Sequence, residues 1–478
     1  MKHKIVLVFF CIWVVVFSSC NKTVVQQPVL LIEQRTNAPE SLRTIYSVYP
    51  DGTHLHQLFQ FPRGSGEYWL SPNKKQLALL TFWGTSEFPA QTLTIIDLLS
   101  GDSLAQVEDV GYVYSNLRSY RVFEDSVVWS PQGDKLIFER NAFNSENTDL
   151  WLFDLATETI TPLTKSISDN IHPSWSPDGT KIAFTSWESC GQRLEECAPD
   201  EQYWNIIIAD ADGSNIRSIT DFRNTDFFIK SDHFSAKMLC NLTWSPDSEY
   251  IAFENSCFSD SLVNPHDIFV VDIAGEKLER VTDFALKQRL EDMTTTPKSI
   301  FTVGFSIQWA ESGDMLYIGY SQSDYLDRSW SLFGGFVIAN IETGSIFHST
   351  EIFGLRGQRS WSPDTTQFVA FTSRLSNGTI TSGPTFLGKL EPQNGTISLL
   401  GLPNDLPYGS CDEPKTYWSP EGQYVAYAMA QEGETCVDEK LNRGIAVISL
   451  PDGQVTNVVE SLAGDNLPIG WMMIDDMG

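Results

Sequence analysis

The sequence predicts an all-β chain built from one repeated unit, and three observations carry that reading. The string "WSPDGTKIAFT" at Trp175 recurs as "WSPQGDKLIFE" at Trp129, "WSPDSEYIAFE" at Trp244, "WAESGDMLYIG" at Trp309, "WSPDTTQFVAF" at Trp361 and "WSPEGQYVAYA" at Trp418. A weaker copy, "WLSPNKKQLALL", starts at Trp69. Each copy opens a run of short segments in which apolar and polar residues alternate, the period of a strand with one buried face. No stretch of helical period and useful length lies between the copies. Units spaced 46 to 69 residues apart, each with four short strands, are the signature of a β-propeller blade. The expected fold is a single closed propeller of four-stranded antiparallel blades.

Each element of the unit has a physical reason. The Trp ends the first strand and offers a large apolar face to a neighbouring sheet. Ser-Pro breaks that strand, and Asp-Gly or its substitutes close a tight turn. An alternating second strand follows, as in "KIAFTS". After a loop, a third strand runs into another turn, as in "IIIADADGS", "IFVVDIAGE" and "IAVISLPDG". A fourth strand completes the unit, as in "IRSIT" and "LERVT".

Before Trp69, "VLLIEQR", "RTIYSVYPDGT" and "LHQLFQF" read as the last three strands of a blade that lacks its first. At the other end, "PIGWMMIDD" reads as a first strand with nothing after it. Joined, they make one blade from both termini, which removes two exposed sheet edges. The count is then eight blades, or seven if the Trp69 copy is not a unit. The propeller is expected to span 28–478.

The chain has 478 residues, 12% of them aromatic, and a net charge of −29 from 61 acidic against 32 basic residues. That field repels nucleic acid and anionic lipid, so neither is expected as a partner through charge. A monomer is expected. Residues 1–19 form an export-signal layout: lysines, then an apolar run from Ile5 to Phe17 too short for a comfortable membrane span, then small residues. The ending "FSSC" resembles a bacterial lipobox, which implies lipidation of Cys20 and a tether over 20–27. The implied address is the outer face of a bacterial membrane, in the cell envelope.

The pattern "WSPDGTKIAFTS…IIIADADGSNIRSIT" resembles the TolB-like propeller repeat and covers nearly all of the chain after the tether. The resemblance implies a propeller; the separate domain that precedes the propeller in TolB has no counterpart expected here.

In an up-and-down sheet the two longer classes of connection emerge at one end, and elaborated loops on a rigid scaffold are where binding usually resides. The expected function is therefore a non-catalytic envelope lipoprotein that binds a protein, peptide or glycan on its long-loop face. Ligand-face candidates are Glu67, His172, Arg359 and Lys415, each on or near the approach to a repeated Trp. Two alternatives stand beside this reading. One is a polysaccharide lyase or hydrolase using rim carboxylates and a metal on His172, His233 and His266, which fall in predicted long-face loops of the third and fourth Trp-started units. The other is an assembly or sensor subunit of an envelope complex. No G-x-S-x-G elbow, phosphate loop or zinc spacing occurs, so no catalytic residue and no cofactor is assigned. The even set Cys190, Cys197, Cys240, Cys257, Cys411 and Cys436 in an exported chain suggests disulfides. The predicted pairs are Cys190–Cys197, within a single loop, and Cys240–Cys257 and Cys411–Cys436, each joining the two ends of an antiparallel strand pair around a repeated Trp.

Overall fold

The computed structural model describes residues 26–36, 42–62, 68–85, 88–108, 127–141, 148–165, 169–188, 203–222, 239–254, 268–282, 299–326, 329–348, 352–353, 355–376, 379–391, 396–399, 408–409, 416–430, 443–459, 462 and 465–475. The fold is all-β, with four-stranded antiparallel blades arranged as a propeller. The Trp175 sheet shows the plan: Asn170–Trp175, Lys181–Glu188, Tyr203–Asp210 and Arg217–Ser218 pair in that order, each antiparallel to the last. The described strands fall into eight sheets of this kind, two of which carry an additional short strand.

The terminal sheet is drawn from both ends of the described chain. Asp465–Asp475 pairs with Gln26–Arg35, which pairs with Leu42–Val48 and then His56–Pro62. Trp471 lies opposite Leu30, just as Trp129 lies opposite Leu136 and Trp244 opposite Ile251.

Apolar seams run between successive sheets because every strand alternates its side chains across two faces. Trp244, Ile251 and Phe253 pack against Ile171, Ala183 and Ile206 of the Trp175 sheet. Trp471, Leu30 and Ile32 pack against Ala426, Ile445 and Val447 of the Trp418 sheet. On its other face the terminal sheet puts Leu31, Ile45 and Phe61 against Leu77, Leu79 and Ile96. First strands of neighbouring sheets also approach one another, so they lie innermost.

The repeated Trp does more than fill a seam. The Trp244 indole donates to the Ser174 carbonyl (3.2 Å), the Trp309 indole to Thr243 (3.0 Å) and the Trp471 indole to Tyr417 (2.8 Å). Each acceptor is the residue just ahead of the aromatic in the preceding sheet, so the ring staples sheet to sheet.

That rule corrects one sequence expectation. Trp129 donates to the carbonyl of Trp69 itself (3.1 Å), and Leu70 is the residue opposite Leu77. Leu70, which directly precedes Ser71-Pro72, therefore occupies the aromatic slot, and Trp69 sits one residue ahead of it. The Trp69 copy is a unit, but its register is shifted by one from the sequence reading.

The Ser of Ser-Pro is a turn clamp. Ser176 Oγ accepts the Lys181 N–H (2.9 Å) and donates to Asp178 (2.6 Å); Ser245 and Ser362 make the same pair of bonds with Tyr250 and Asp247, and with Gln367 and Asp364. All three serines are buried, with their hydroxyls engaged. The next special position needs a left-handed backbone, which Gly133, Gly179 and Gly422 supply at φ 68–74. Ser248 holds the same place at φ 63. A side chain there costs about 1 kcal/mol that glycine does not. Ser248→Gly is expected to raise stability by about that amount, read as a higher urea midpoint; a lower midpoint would show that the Ser248 hydroxyl outweighs the strain.

Candidate functional site

Two ends of the sheets differ in kind. The Ser-Pro turns and the third-to-fourth strand turns lie at one end and close within a few residues, as where Asp210 N–H meets the Ser214 carbonyl (2.9 Å). At the opposite end, second strands pass to third strands through 189–202 and 431–442 in two sheets but through only 86–87, 327–328 and 377–378 in three others, while fourth strands pass to the next sheet through 223–238 and 283–298. The candidate site is this long-loop end.

Its described base is a set of buried polar groups at the tops of the seams. Counting three residues along the second strand from the partner of the repeated aromatic gives Glu33, Glu139 and Glu254 in three sheets. The same slot holds Leu80 and Thr185 in two others. All five are buried. Burying a carboxylate is costly unless it is bonded, and each of these is. Glu139 Oε1 accepts the His172 backbone N–H (2.7 Å) across the seam between the Trp129 and Trp175 sheets. Glu254 Oε2 accepts Asn241 Nδ2 (2.8 Å) within its own sheet.

Glu33 is the most heavily engaged. Arg35 Nε donates to Oε1 (3.0 Å), Arg43 Nε donates to the same oxygen, and Tyr68 Oη donates to Oε2 (2.9 Å). The Arg43 guanidinium also lies over the rings of Phe61 and Tyr68, 5.4 and 4.8 Å from their centroids. Burial pushes the Glu33 carboxyl up, but the Arg43 hydrogen bond and the Arg35 charge outweigh it and hold the group down at about 2. At the neighbouring seam, Arg443 makes a two-pronged bond to Asp465 (2.5 and 2.7 Å), and Asn466 Nδ2 donates to the Arg443 carbonyl (2.9 Å). This joins the Trp418 sheet to the terminal sheet at the long-loop end.

At the Trp129–Trp175 seam, Asp169 takes the Thr148 N–H (2.7 Å), while Asp149 takes the Thr164 hydroxyl (2.8 Å). Burial and the nearby Asp149 charge raise the Asp169 carboxyl above its usual range. Thr164 belongs to a second recurring device. Its Oγ1 accepts the Leu150 N–H (2.9 Å), as Thr220 does for Ile206 (2.9 Å) and Thr282 for Ile268 (2.8 Å). Each ties the end of a fourth strand to the start of a third.

His172 is placed otherwise than the sequence reading had it. It lies in the first strand Asn170–Trp175 rather than in a loop, and it is buried. A register shift between Ile171 and Ser174 leaves it in a bulge at φ 54. His is among the residues that tolerate this conformation, and the bulge aims its N–H at Glu139. Arg359 lies in Leu355–Trp361, within a similar shift between Arg356 and Ser360. Glu67, Lys415, His233 and His266 lie outside the described residues, as do Cys20, Cys190, Cys197, Cys257, Cys411 and Cys436. Cys240 begins Cys240–Trp244, paired with Glu254. Among the described residues, no group of three His, Cys, Asp or Glu could hold a metal ion.

The glutamate slot and the Thr clamp escaped the sequence reading. The clamp had a signal, because "LT", "IT" and "VT" end the fourth strands at a fixed place in the unit.

No protein-family model matches the chain. Over 173 residues it is 30% identical to "Protein TolB homolog" of Chlorobium chlorochromatii (strain CaD3). That match covers 36% of this chain and 34% of the relative, so the chain spans about a third of the length of the curated relative it matches. Among solved structures, it is similar to an oligogalacturonate lyase in complex with manganese (14% identity, TM-score 0.44, 86% of this chain and 96% of that one). It is also similar to TolB from Acinetobacter baumannii (15%, 0.31, 83% and 82%) and to Porphyromonas gingivalis dipeptidyl peptidase 4 (13%, 0.45, 82% and 52%). With its Trp-Ser-Pro repeat and its four-stranded antiparallel sheets, the chain is a β-propeller protein whose repeat is similar to that of a TolB homologue over the matched 173 residues.

Proposed function

We propose that this protein is a lipid-anchored binding module of the bacterial envelope, an eight-bladed ring that takes a protein, peptide or glycan on its long-loop face. The observation that carries the reading is the inequality of the two ends. One end is made of turns whose polar groups bond within the turn, as at Ser176, Ser245 and Ser362. At the other, strands are joined through the long connections, and the seams are pinned by Glu33, Glu139 and Arg443. Rigid scaffold below and elaborated loops above is the arrangement in which binding surfaces are commonly built. The export layout of 1–19, with Cys20 and the short stretch 21–25 ahead of the first strand, supports the envelope address. Eight sheets and apolar seams that pass from sheet to sheet and back to the terminal sheet support the ring.

The test is capture from native envelope with the full chain and with a variant in which 189–202 and 283–298 are replaced by short Gly-Ser linkers. A partner held by the full chain and lost by the trimmed one is the expected result. The same captured set from both proteins overturns the face assignment. Stoichiometric manganese or zinc in the purified protein, lost on replacing His172, would favour the lyase or hydrolase reading instead.

A further inference from the structure

We propose that the short-turn end of the propeller is its membrane-facing surface, held a short distance off the bilayer, and that the long-loop face points away from the lipid. The inference rests on the lipid-anchor reading above, to which it adds a direction. The terminal sheet fixes that direction. Beyond the Leu30–Trp471 pair, where other sheets turn back at Ser-Pro, this sheet continues as a two-stranded ribbon. Val29 lies opposite Met472, Pro28 opposite Met473, Gln27 opposite Ile474 and Gln26 opposite Asp475. The ribbon therefore leaves the ring at the end that carries the Ser-Pro turns. Val29 and Met472 are buried, so its root is part of the fold.

Only residues 21–25 separate Cys20 from Gln26. Fully extended, that length spans no more than about 20 Å. The Trp175 sheet is about 25 Å tall, from the eight residues of Lys181–Glu188 at the usual strand rise, and the twelve-residue strand Met315–Leu326 reaches further. A tether this short, rooted at the short-turn end, brings that end to the lipid and leaves the long-loop end on the far side of the ring.

Charge sets how close it comes. Asp51, Asp178, Asp212, Glu311, Asp364 and Glu421 are all exposed in turns at this end. Of the lysines there, Lys135, Lys181 and Lys277 are paired with Asp154, Asp210 and Glu279 (3.5, 3.1 and 3.4 Å), Lys74 is half-buried, and Lys75 is exposed. An acidic face is repelled by an anionic bilayer over a Debye length of about 8 Å at physiological salt. The ring thus stands off rather than lying on the surface.

The test uses the full-length lipidated protein in phosphatidylethanolamine–phosphatidylglycerol vesicles that carry a nitroxide-headgroup lipid. A fluorescent noncanonical residue is placed at Glu421, at the short-turn end, or at Lys165, beyond the fourth strand at the long-loop end. Quenching at 421 at least twofold stronger than at 165 is expected. It should rise further when salt is added, and the rise should vanish in uncharged vesicles. Equal quenching, or stronger quenching at 165, overturns the orientation; quenching at 421 that ignores salt overturns the stand-off. A Cys20→Ser control separates the two readings. If wild type and variant both stay in the soluble fraction, the anchor itself is wrong; if only the variant does, the quenching decides the direction.

Discussion

Replacing Trp244 with alanine is expected to lower the unfolding free energy by about 3–5 kcal/mol, the range for emptying a buried aromatic site. The ring is 6% exposed and sits among Ile171, Ala183 and Ile206 of one sheet and Ile251 and Phe253 of its own. Alanine would open a cavity at a seam, where neither sheet can close the gap without shifting against its other neighbour. The indole also donates to the Ser174 carbonyl (3.2 Å), and phenylalanine isolates that part of the effect. Trp244→Phe keeps most of the apolar contact and loses one hydrogen bond, worth about 1 kcal/mol.

Trp175 is the internal control. It occupies the same slot, but its buried indole nitrogen has no hydrogen-bond partner. A buried donor without an acceptor already carries a desolvation cost, so Trp175→Phe should be close to neutral. Urea midpoints of the four single variants, Ala and Phe at each site, check the scheme. Equal losses for Trp244→Phe and Trp175→Phe would show that the indole-to-carbonyl staple contributes nothing to stability.

What the sequence made legible follows from how local each feature is. The Ser-Pro break, the tight turn and the alternating strands are decided within about a dozen residues, and the structure places them where alternation puts them. Trp69 was misplaced because it lies one residue ahead of a slot that here holds leucine and so imitates the repeat, and only the pairing of Leu70 with Leu77 reveals the offset. His172, expected in a loop, is followed by Pro173, and Pro is rare inside a strand away from edges and bulges. Here the two residues form a bulge inside the strand instead, which twists a strand without ending it. Glu33 could not be read at all. In "VLLIEQR" it has the place of an outward polar residue, and the groups that make its burial tolerable, Arg43 and Tyr68, come from other strands. A buried ion cluster is a property of the assembled seam, so alternation alone cannot announce it.

Acidification should single out that same cluster. The folded Glu33 carboxyl lies at about 2 against an ordinary value of 4.5, because Arg43 and Arg35 surround it. A depressed carboxyl stabilises the fold above its unfolded value and loses that contribution as pH falls from about 4.5 through about 2. The shift corresponds to about 3 kcal/mol. Carboxylates in the turns, Asp178 and Asp364 among them, are also held low by their hydrogen bonds, so acid will weaken the wild type through several groups at once. The Glu33→Gln variant separates them. At neutral pH it should be less stable by about 3–5 kcal/mol, since the Arg43 guanidinium stays buried against Phe61 and Tyr68 without its carboxylate. Its stability should then fall less steeply than wild type between pH 5 and 2, by about the 3 kcal/mol that Glu33 no longer has to lose. Glu33→Gln combined with Arg43→Met should recover much of the loss, because an apolar pair of similar volume can replace a buried ion pair at little cost. Urea midpoints measured across that pH range decide the matter: parallel curves for wild type and Glu33→Gln would mean that Glu33 does not hold the seam between the terminal sheet and the Leu70 sheet.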